Sequence, residues 1–275
     1  MNFDKHLICP ICKSSFSVQN GALKCLNGHS FDISASGYVN LLKPGKMNNA
    51  KAGDSKEMIR ARTAFLGSGV YQPIKDTICS ICKELGANLI IDAGCGEGYY
   101  TEGIATAMPS SDVIGFDMSK FGCEHGAKSA KRGGIDSLKY SVSSIFAMPI
   151  NDESADIIVN MFAPVASEEF KRVLHTGGRF IVAAAGACHL DGLKSALYDD
   201  VYENEVKALD YDGFELCDVK NLKYECKIVG SDVIYNLFTM TPYYHRTSLD
   251  DKKKLEGVCE IDTTVEVNFF IYKKL

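Results

Sequence analysis

Residues 89–101 read Leu-Ile-Ile-Asp-Ala-Gly-Cys-Gly-Glu-Gly-Tyr-Tyr-Thr, and no other stretch constrains the fold of this chain as much. A short apolar run ends in an acid, Asp92. Three glycines follow at alternate positions, Gly94, Gly96 and Gly98, and a helical pattern starts after them. A buried strand, a tight turn and a helix start account for that order. Glycine reaches backbone dihedrals closed to other residues and lets a ligand approach the main chain. The helix start adds free N–H groups and the positive end of a dipole.

The spacing says which ligand. A dinucleotide fingerprint reads G-x-G-x-x-G, with the pyrophosphate resting on the helix start. Here it is G-x-G-x-G, and Tyr99 stands where the third dinucleotide glycine would be. Asp92 would repel a pyrophosphate and suits a cationic or amino-bearing ligand. The pattern resembles motif I of the class I S-adenosylmethionine (SAM) methyltransferases. Val113-Ile114-Gly115-Phe116-Asp117 reads as the next strand, and Asp117 lies 23 residues after Gly94. An acid at that strand end accepts hydrogen bonds from both ribose hydroxyls. A purely structural glycine turn would explain the glycines but not the two acids in this order.

The first module has its own chemistry. Cys9, Cys12, Cys25 and His29 follow a C-x2-C-x12-C-x3-H spacing. Zinc takes four sulfur or nitrogen ligands in a tetrahedron, and C-x-x-C on a turn aims two thiolates at one point. Ser15 to Val18 and Ala22 to Lys24 flank Asn20-Gly21, a hairpin signal. A zinc ribbon or knuckle is expected. So small a unit buries little core, and structural zinc supplies on the order of 10 kcal/mol to folding. All four positions are filled by protein, which marks a structural rather than a catalytic ion. Eleven cysteines in a chain without an export signal read as free thiols and metal ligands.

Net charge is −5, so the chain is not a globally basic nucleic-acid binder, yet residues 1–62 carry +5. That asymmetry points the N-terminal part toward an anionic partner, although each lysine taken singly fits a solvated face. The N-terminus lacks a basic segment followed by a long apolar run, and no stretch approaches a membrane span, so a cytoplasmic location and no membrane partner are expected.

Further pieces narrow the resemblance. Cys-Pro-Ile-Cys, Gly-His-Ser-Phe-Asp, Gly-Tyr-Val-Asn-Leu-Leu, Gly-Asp-Ser-Lys-Glu-Met with Arg60-Ala61-Arg62, Tyr71-Gln72-Pro73, Met161-Phe162-Ala163-Pro164, His189-Leu190 and Met240-Thr241-Pro242 occur in that order. Together they resemble the bacterial 23S rRNA (guanine-N1)-methyltransferases. The resemblance implies a Rossmann-like α/β class I methyltransferase fold, with a seven-stranded, mostly parallel sheet and a small N-terminal zinc module. It implies methylation of guanine N1 in a hairpin loop of 23S rRNA, and a homodimer. It also implies SAM contacts from Tyr71, Asp92, Gly94, Gly96, Gly98, Tyr100, Thr101, Asp117 and His189. We divide the chain into a zinc-binding RNA-recognition module (1–35), a basic linker and helix (36–70) and a methyltransferase domain (71–275). A lid insertion over about 186–212 is expected to be mostly helical from Leu193 to Leu209.

Guanine N1 carries a proton at neutral pH, so a general base or an O6-stabilising donor is expected. His189, Asp32 and His245 are the candidates. The base must be unstacked or looped out, which favours a hairpin target. Two other readings fit part of the pattern. One is a small-molecule or protein methyltransferase with an accessory zinc module, against which the +5 segment argues. The other is a non-catalytic RNA-binding factor on a methyltransferase fold, which predicts damage in motif I or at Asp117, and both are intact.

Overall fold

The computed structural model describes residues 5–43, 53–199 and 203–275. β1 (Phe16–Gln19) and β2 (Ala22–Cys25) form a hairpin across Asn20 and Gly21, whose φ values of 51° and 75° supply the left-handed turn that suits twisted strands. β3 (Ser30–Asp32) adds antiparallel to β2 and completes a small three-stranded sheet. The chain leaves it through β4 (Tyr38–Asn40).

Two helices follow, α1 (Lys56–Leu66) and α2 (Gln72–Leu85). Ser55 caps α1 by accepting the Met58 N–H, and Pro73 sits in the first turn of α2, where no backbone donor is missed. Then strands and helices alternate: β5 (Leu89–Ala93), α3 (Tyr99–Ala107), β6 (Asp112–Asp117), α4 (Lys120–Gly133), β7 (Leu138–Val142), β8 (Ala155–Met161), α5 (Ser167–Val173), β9 (Leu174–Ala185) and α6 (Asp191–Leu197). The chain closes with β10 (Phe214–Val229), α7 (Ser231–Met240), α8 (Tyr243–Arg246), α9 (Leu249–Lys253) and β11 (Glu260–Lys274).

The main sheet has the order β10-β11-β9-β8-β5-β6-β7-β4. Pairing is parallel from β4 to β9, and antiparallel where β11 enters between β9 and β10. All five residues of β5 are buried, as a central parallel strand covered on both faces requires. The strand order reverses at β5, since β6 lies on one side and β8 on the other. The crevice beyond its C-terminal end is therefore the place for a ligand.

Among the described residues the sheet carries eight strands, one more than the seven expected. The extra strand is β4, which lies in the stretch read as linker and helix. It pairs in register with β7 (Tyr38 with Tyr140, Asn40 with Val142) and covers an edge that would otherwise expose unpaired backbone groups. Part of the expected basic linker, residues 44–52, lies outside the described residues. The predicted helix from Leu193 to Leu209 is the main correction. Among the described residues only Asp191–Leu197 is helical there, and residues 203–211 carry no regular structure. Asn204 explains the difference, because its backbone N–H donates to Ala187 O and its side chain to Gly186 O, tying the segment back against the approach to α6.

Neighbouring strand residues feed opposite faces. Ile90, Val113 and Val159 join the layer that contains α1, α2 and α7, while Ile91, Ile114 and Ile158 join the other. That second layer also takes Leu7, Phe16 and Leu23 of the small sheet and Val39 of β4. The N-terminal module thus shares its hydrophobic core with the main sheet. The bridge from Leu7 to Ile150 and the bond from Ile8 N–H to Pro149 O fix it there.

Candidate active site and metal centre

The two Cys/His pairs converge at one point. Cys9 Sγ lies 3.5 Å from His29 Nδ1, Cys25 Sγ 3.3 Å from the same nitrogen, and Cys12 Sγ 3.6 Å from Cys25 Sγ. All four ligand atoms fall within 4.8 Å of one another. A tetrahedral zinc ion with bonds of about 2.0–2.3 Å demands ligand-to-ligand edges of roughly 3.5–3.8 Å, so the donor set fits the ion in both kind and spacing. Two turns aim the ligands: one runs through Lys13 at φ 63°, the other through Gly28 at φ 81°.

At the end of β5 the chemistry is different. Asp92 is 1 % exposed. Thr101 Oγ1–H donates to its Oδ2 at 2.6 Å, while Oδ1 has no partner among the described residues. Burial, with Asp117 and Glu97 adding repulsion, pushes this carboxyl up to about 7. A cationic donor beside Oδ1 would satisfy the oxygen and restore the carboxylate.

The glycines behave as the turn requires. Gly94, Gly96 and Gly98 have φ of 90°, 56° and 95°. A Cβ on Gly94 would come within 2.6 Å of the Ala163 methyl, and one on Gly98 would collide with the Tyr140 hydroxyl. Asp117 closes the far side, accepting the Gly96 N–H at Oδ2 (2.9 Å) and the Ser119 N–H at Oδ1 (2.6 Å). Burial raises its pKa, and those N–H groups oppose the rise.

His189 sits at the entrance to the segment after β9 and is buried. The Glu266 backbone N–H donates to its Nδ1 at 3.3 Å. Nδ1 is therefore the acceptor, and the neutral ring carries its proton on Nε2, which donates to Tyr71 Oη at 3.2 Å. Burial pushes this imidazole down to about 4, in keeping with a neutral ring. The Phe162 ring stacks on His189 with centroids 6.0 Å apart and planes 27° from parallel.

The methyltransferase domain model matches residues 87–240, and the model described as RlmA, N-terminal, a zinc ribbon, matches residues 7–49. The 23S rRNA (guanine(748)-N(1))-methyltransferase of Streptomyces fradiae is 30 % identical over 202 residues, spanning 71 % of this chain and 69 % of its own length. A candidate 23S rRNA (guanine-N1)-methyltransferase of Micromonospora griseorubida is 32 % identical over 206 residues, 67 % of each chain. The chain belongs to the 23S rRNA (guanine-N1)-methyltransferase family. A further candidate member from Bacillus subtilis is 29 % identical over 283 residues, covering 97 % of this chain and 96 % of its own. Zinc and SAM are the metal and methyl donor of such a protein, and both sites fit them.

Not every residue singled out for the 23S rRNA (guanine-N1)-methyltransferase site comes to the cleft. Tyr71, Asp92, the three glycines, Thr101, Asp117 and His189 gather around the end of β5, and Tyr100 stands in the first turn of α3 with its ring edge-on to Tyr99. Asp32 lies exposed at the end of β3, backbone-paired with Ala22 in the small sheet. His245 lies exposed in α8 against Tyr244. Of the three candidates for the base, only His189 is in the cleft, and both its ring nitrogens are engaged.

Three features escaped sequence reasoning. Tyr140 is wholly buried in space left by Gly98, Gly115 and Gly126, a signal visible only once β7 is known to pass beneath them. Arg62 pairs with Asp54 and would touch a Cβ on Gly96 at 3.1 Å, which lays α1 across the glycine loop. Phe162 takes φ of 54°, and nothing in its local sequence announces that.

Proposed function

We propose that this protein transfers a methyl group from SAM to N1 of a guanine in a hairpin loop of 23S rRNA. One observation carries the reading. A closed Cys3His centre and a buried Asp92 carboxylate with one oxygen unpaired among the described residues flank one hydrophobic core, in a chain similar to a single relative along 97 % of its length.

SAM supplies an electrophilic methyl on sulfur. Asp92 offers its unpaired oxygen to the amino end of that ligand, and Asp117 takes the ribose. Gly94, Gly96 and Gly98 keep the main chain close, with Tyr71, Tyr100, Thr101 and His189 completing the wall. Alignment of donor and acceptor supplies much of the acceleration in such a displacement. His189 acts as a positioning group, because its free-base nitrogen is occupied by the Glu266 N–H. Cys9, Cys12, Cys25 and His29 hold zinc, which shapes the 1–35 module for backbone and shape contacts with RNA. Residues 186–199 and 203–212 are assigned the role of covering the site. The reading includes a cytoplasmic homodimer. Among the described residues no helix is long and apolar enough to cross a membrane.

Primer extension tests the reading. Methylation at N1 blocks the Watson–Crick edge and stops reverse transcription. With undermodified 23S rRNA and SAM, the expected result is one new stop at a guanine. SAM binding without any stop would sink the rRNA assignment and move the substrate to another class.

A further inference from the structure

β8 ends at Met161, and the next residue, Phe162, takes a left-handed φ of 54°. For a bulky side chain this conformation costs on the order of 1–3 kcal/mol and persists only where the surroundings over-determine it. The surroundings do so here. Phe162 N–H donates to Ala183 O at 3.1 Å. The Asn160 side-chain amide donates to Ala93 O at 2.9 Å and to Pro164 O at 3.1 Å, tying the loop to the end of β5 on one side and to its own far end on the other. Ala163 fits against Gly94, where a Cβ would sit 2.6 Å from its methyl. Held this way, the loop turns the Phe162 ring outward.

The ring does little for the core. Phe162 is 42 % exposed, whereas Met161 before it is 6 % exposed. Among the described residues its ring partner is His189, stacked at 6.0 Å, and His189 is in turn fixed by Tyr71 and the Glu266 N–H. A rigid aromatic surface, backed by a neutral imidazole, therefore stands at the C-terminal end of the central strands, one residue from the methyl group that touches Gly94. Close by, Asn160 Oδ1 is buried with no partner among the described residues, an acceptor left for a donor.

We propose that Phe162 is the stacking platform for the target base, holding the purine plane beside the glycine loop so that its edge meets the methyl donor. The assignment rests on the reading of this chain as a guanine methyltransferase. Every base has a π-face, and stacking on an aromatic side chain is worth about 1–3 kcal/mol per base, roughly a ten- to hundred-fold factor. A looped-out guanine gives up its neighbours in the RNA and needs such a surface.

The test uses the full-length protein, undermodified 23S rRNA and the primer-extension stop as the rate readout, with SAM affinity measured separately by calorimetry. Phe162→Ala is expected to lower kcat/KM for RNA roughly ten- to hundred-fold while SAM affinity stays within about twofold. Phe162→Gly, which relieves the left-handed backbone and so guards against a folding artefact, should show the same loss. Phe162→Trp should keep activity within about threefold. Methylation by Phe162→Ala or Phe162→Gly at the wild-type rate overturns the proposal. So does a parallel fall in SAM affinity, or a Trp variant as poor as the Ala variant. A wild-type protein that leaves every guanine unblocked overturns the reaction reading and this inference with it. A methylating wild type with an unaffected Ala variant overturns the inference alone.

Discussion

The Cys3His centre and the Asp92 cleft both depend on left-handed turns, yet one is closed on itself and the other is left open. At the centre, four protein atoms face one another at separations that a single ion satisfies completely. At the end of β5, a buried carboxylate keeps one oxygen without a partner among the described residues, and its pKa rises to about 7 as a result of burial. A donor set that completes its own polyhedron stabilises a fold. A buried acceptor left unpaired is a standing cost, which a ligand removes. The two regions meet through one core, since Leu7, Phe16 and Leu23 pack in the same layer as Ile91 and Phe116.

The largest effect should come from breaking the closed region. Cys12→Ala, or chelation of the wild type, is expected to abolish stoichiometric zinc and unfold the small sheet. The shared core should carry the damage onward. About 1 kcal/mol moves the melting midpoint of a chain this size by roughly 2–4 °C, so calorimetry should show a fall of several degrees. An unchanged midpoint after complete zinc loss would mean that the module and the sheet are thermodynamically separate.

Breaking the open region should leave zinc alone. Asp92→Asn keeps the shape and removes the charge. SAM affinity should fall by roughly ten- to hundred-fold or more, the worth of a charge-assisted bond, with zinc content unchanged. Normal SAM affinity in that variant would remove Asp92 from the binding scheme.

The pH dependence sharpens the contrast further. Asp92 has a folded pKa of about 7 against an ordinary 3.8, so across that window the folded chain holds a proton that the unfolded chain has lost, and stability falls as pH rises. His189 works in the opposite sense. Its folded pKa is about 4 against an ordinary 6.5, so its contribution is lost as pH falls through that range. The two slopes oppose each other, and thermal stability should vary little on their account. SAM affinity should instead rise from pH 5.5 toward 7.5, with proton release at pH 6 visible by calorimetry in buffers of different ionisation heat. Binding at pH 6 without proton release would show Asp92 already ionised in the free protein.

The smallest effect concerns the packing beneath the loop. Among the described residues Tyr140 Oη is buried without a hydrogen bond of ordinary length, and only a weak interaction with the Thr101 side chain acts on it, so Tyr140→Phe should change stability by no more than about 1 kcal/mol in a denaturant titration. A large destabilisation would mean that the hydroxyl is satisfied in solution, for example by water.

What could be read from the chain alone was local. The strand, acid and glycines of 89–98 and the Cys/His spacing are each written within a few residues. The hairpin at Asn20-Gly21 belongs with them. What could not be read depends on distant partners. β4 becomes a strand only because β7 offers it an edge. The 203–211 segment is not helical because Asn204 finds acceptors at Gly186 and Ala187. Tyr71 and His189 are 118 residues apart and meet only in the fold, so family resemblance, not spacing, drew attention to them. Phe162 owes its backbone to Ala183, Asn160 and Gly94, three contacts on three different strands or turns.

The most direct measurement is the identity of the methylated nucleoside. Undermodified 23S rRNA would be incubated with the protein and isotopically labelled SAM, digested to nucleosides and analysed by mass spectrometry. The account predicts label in 1-methylguanosine, at about one per rRNA. Label in a different nucleoside, or none in a preparation that binds both zinc and SAM, would contradict it.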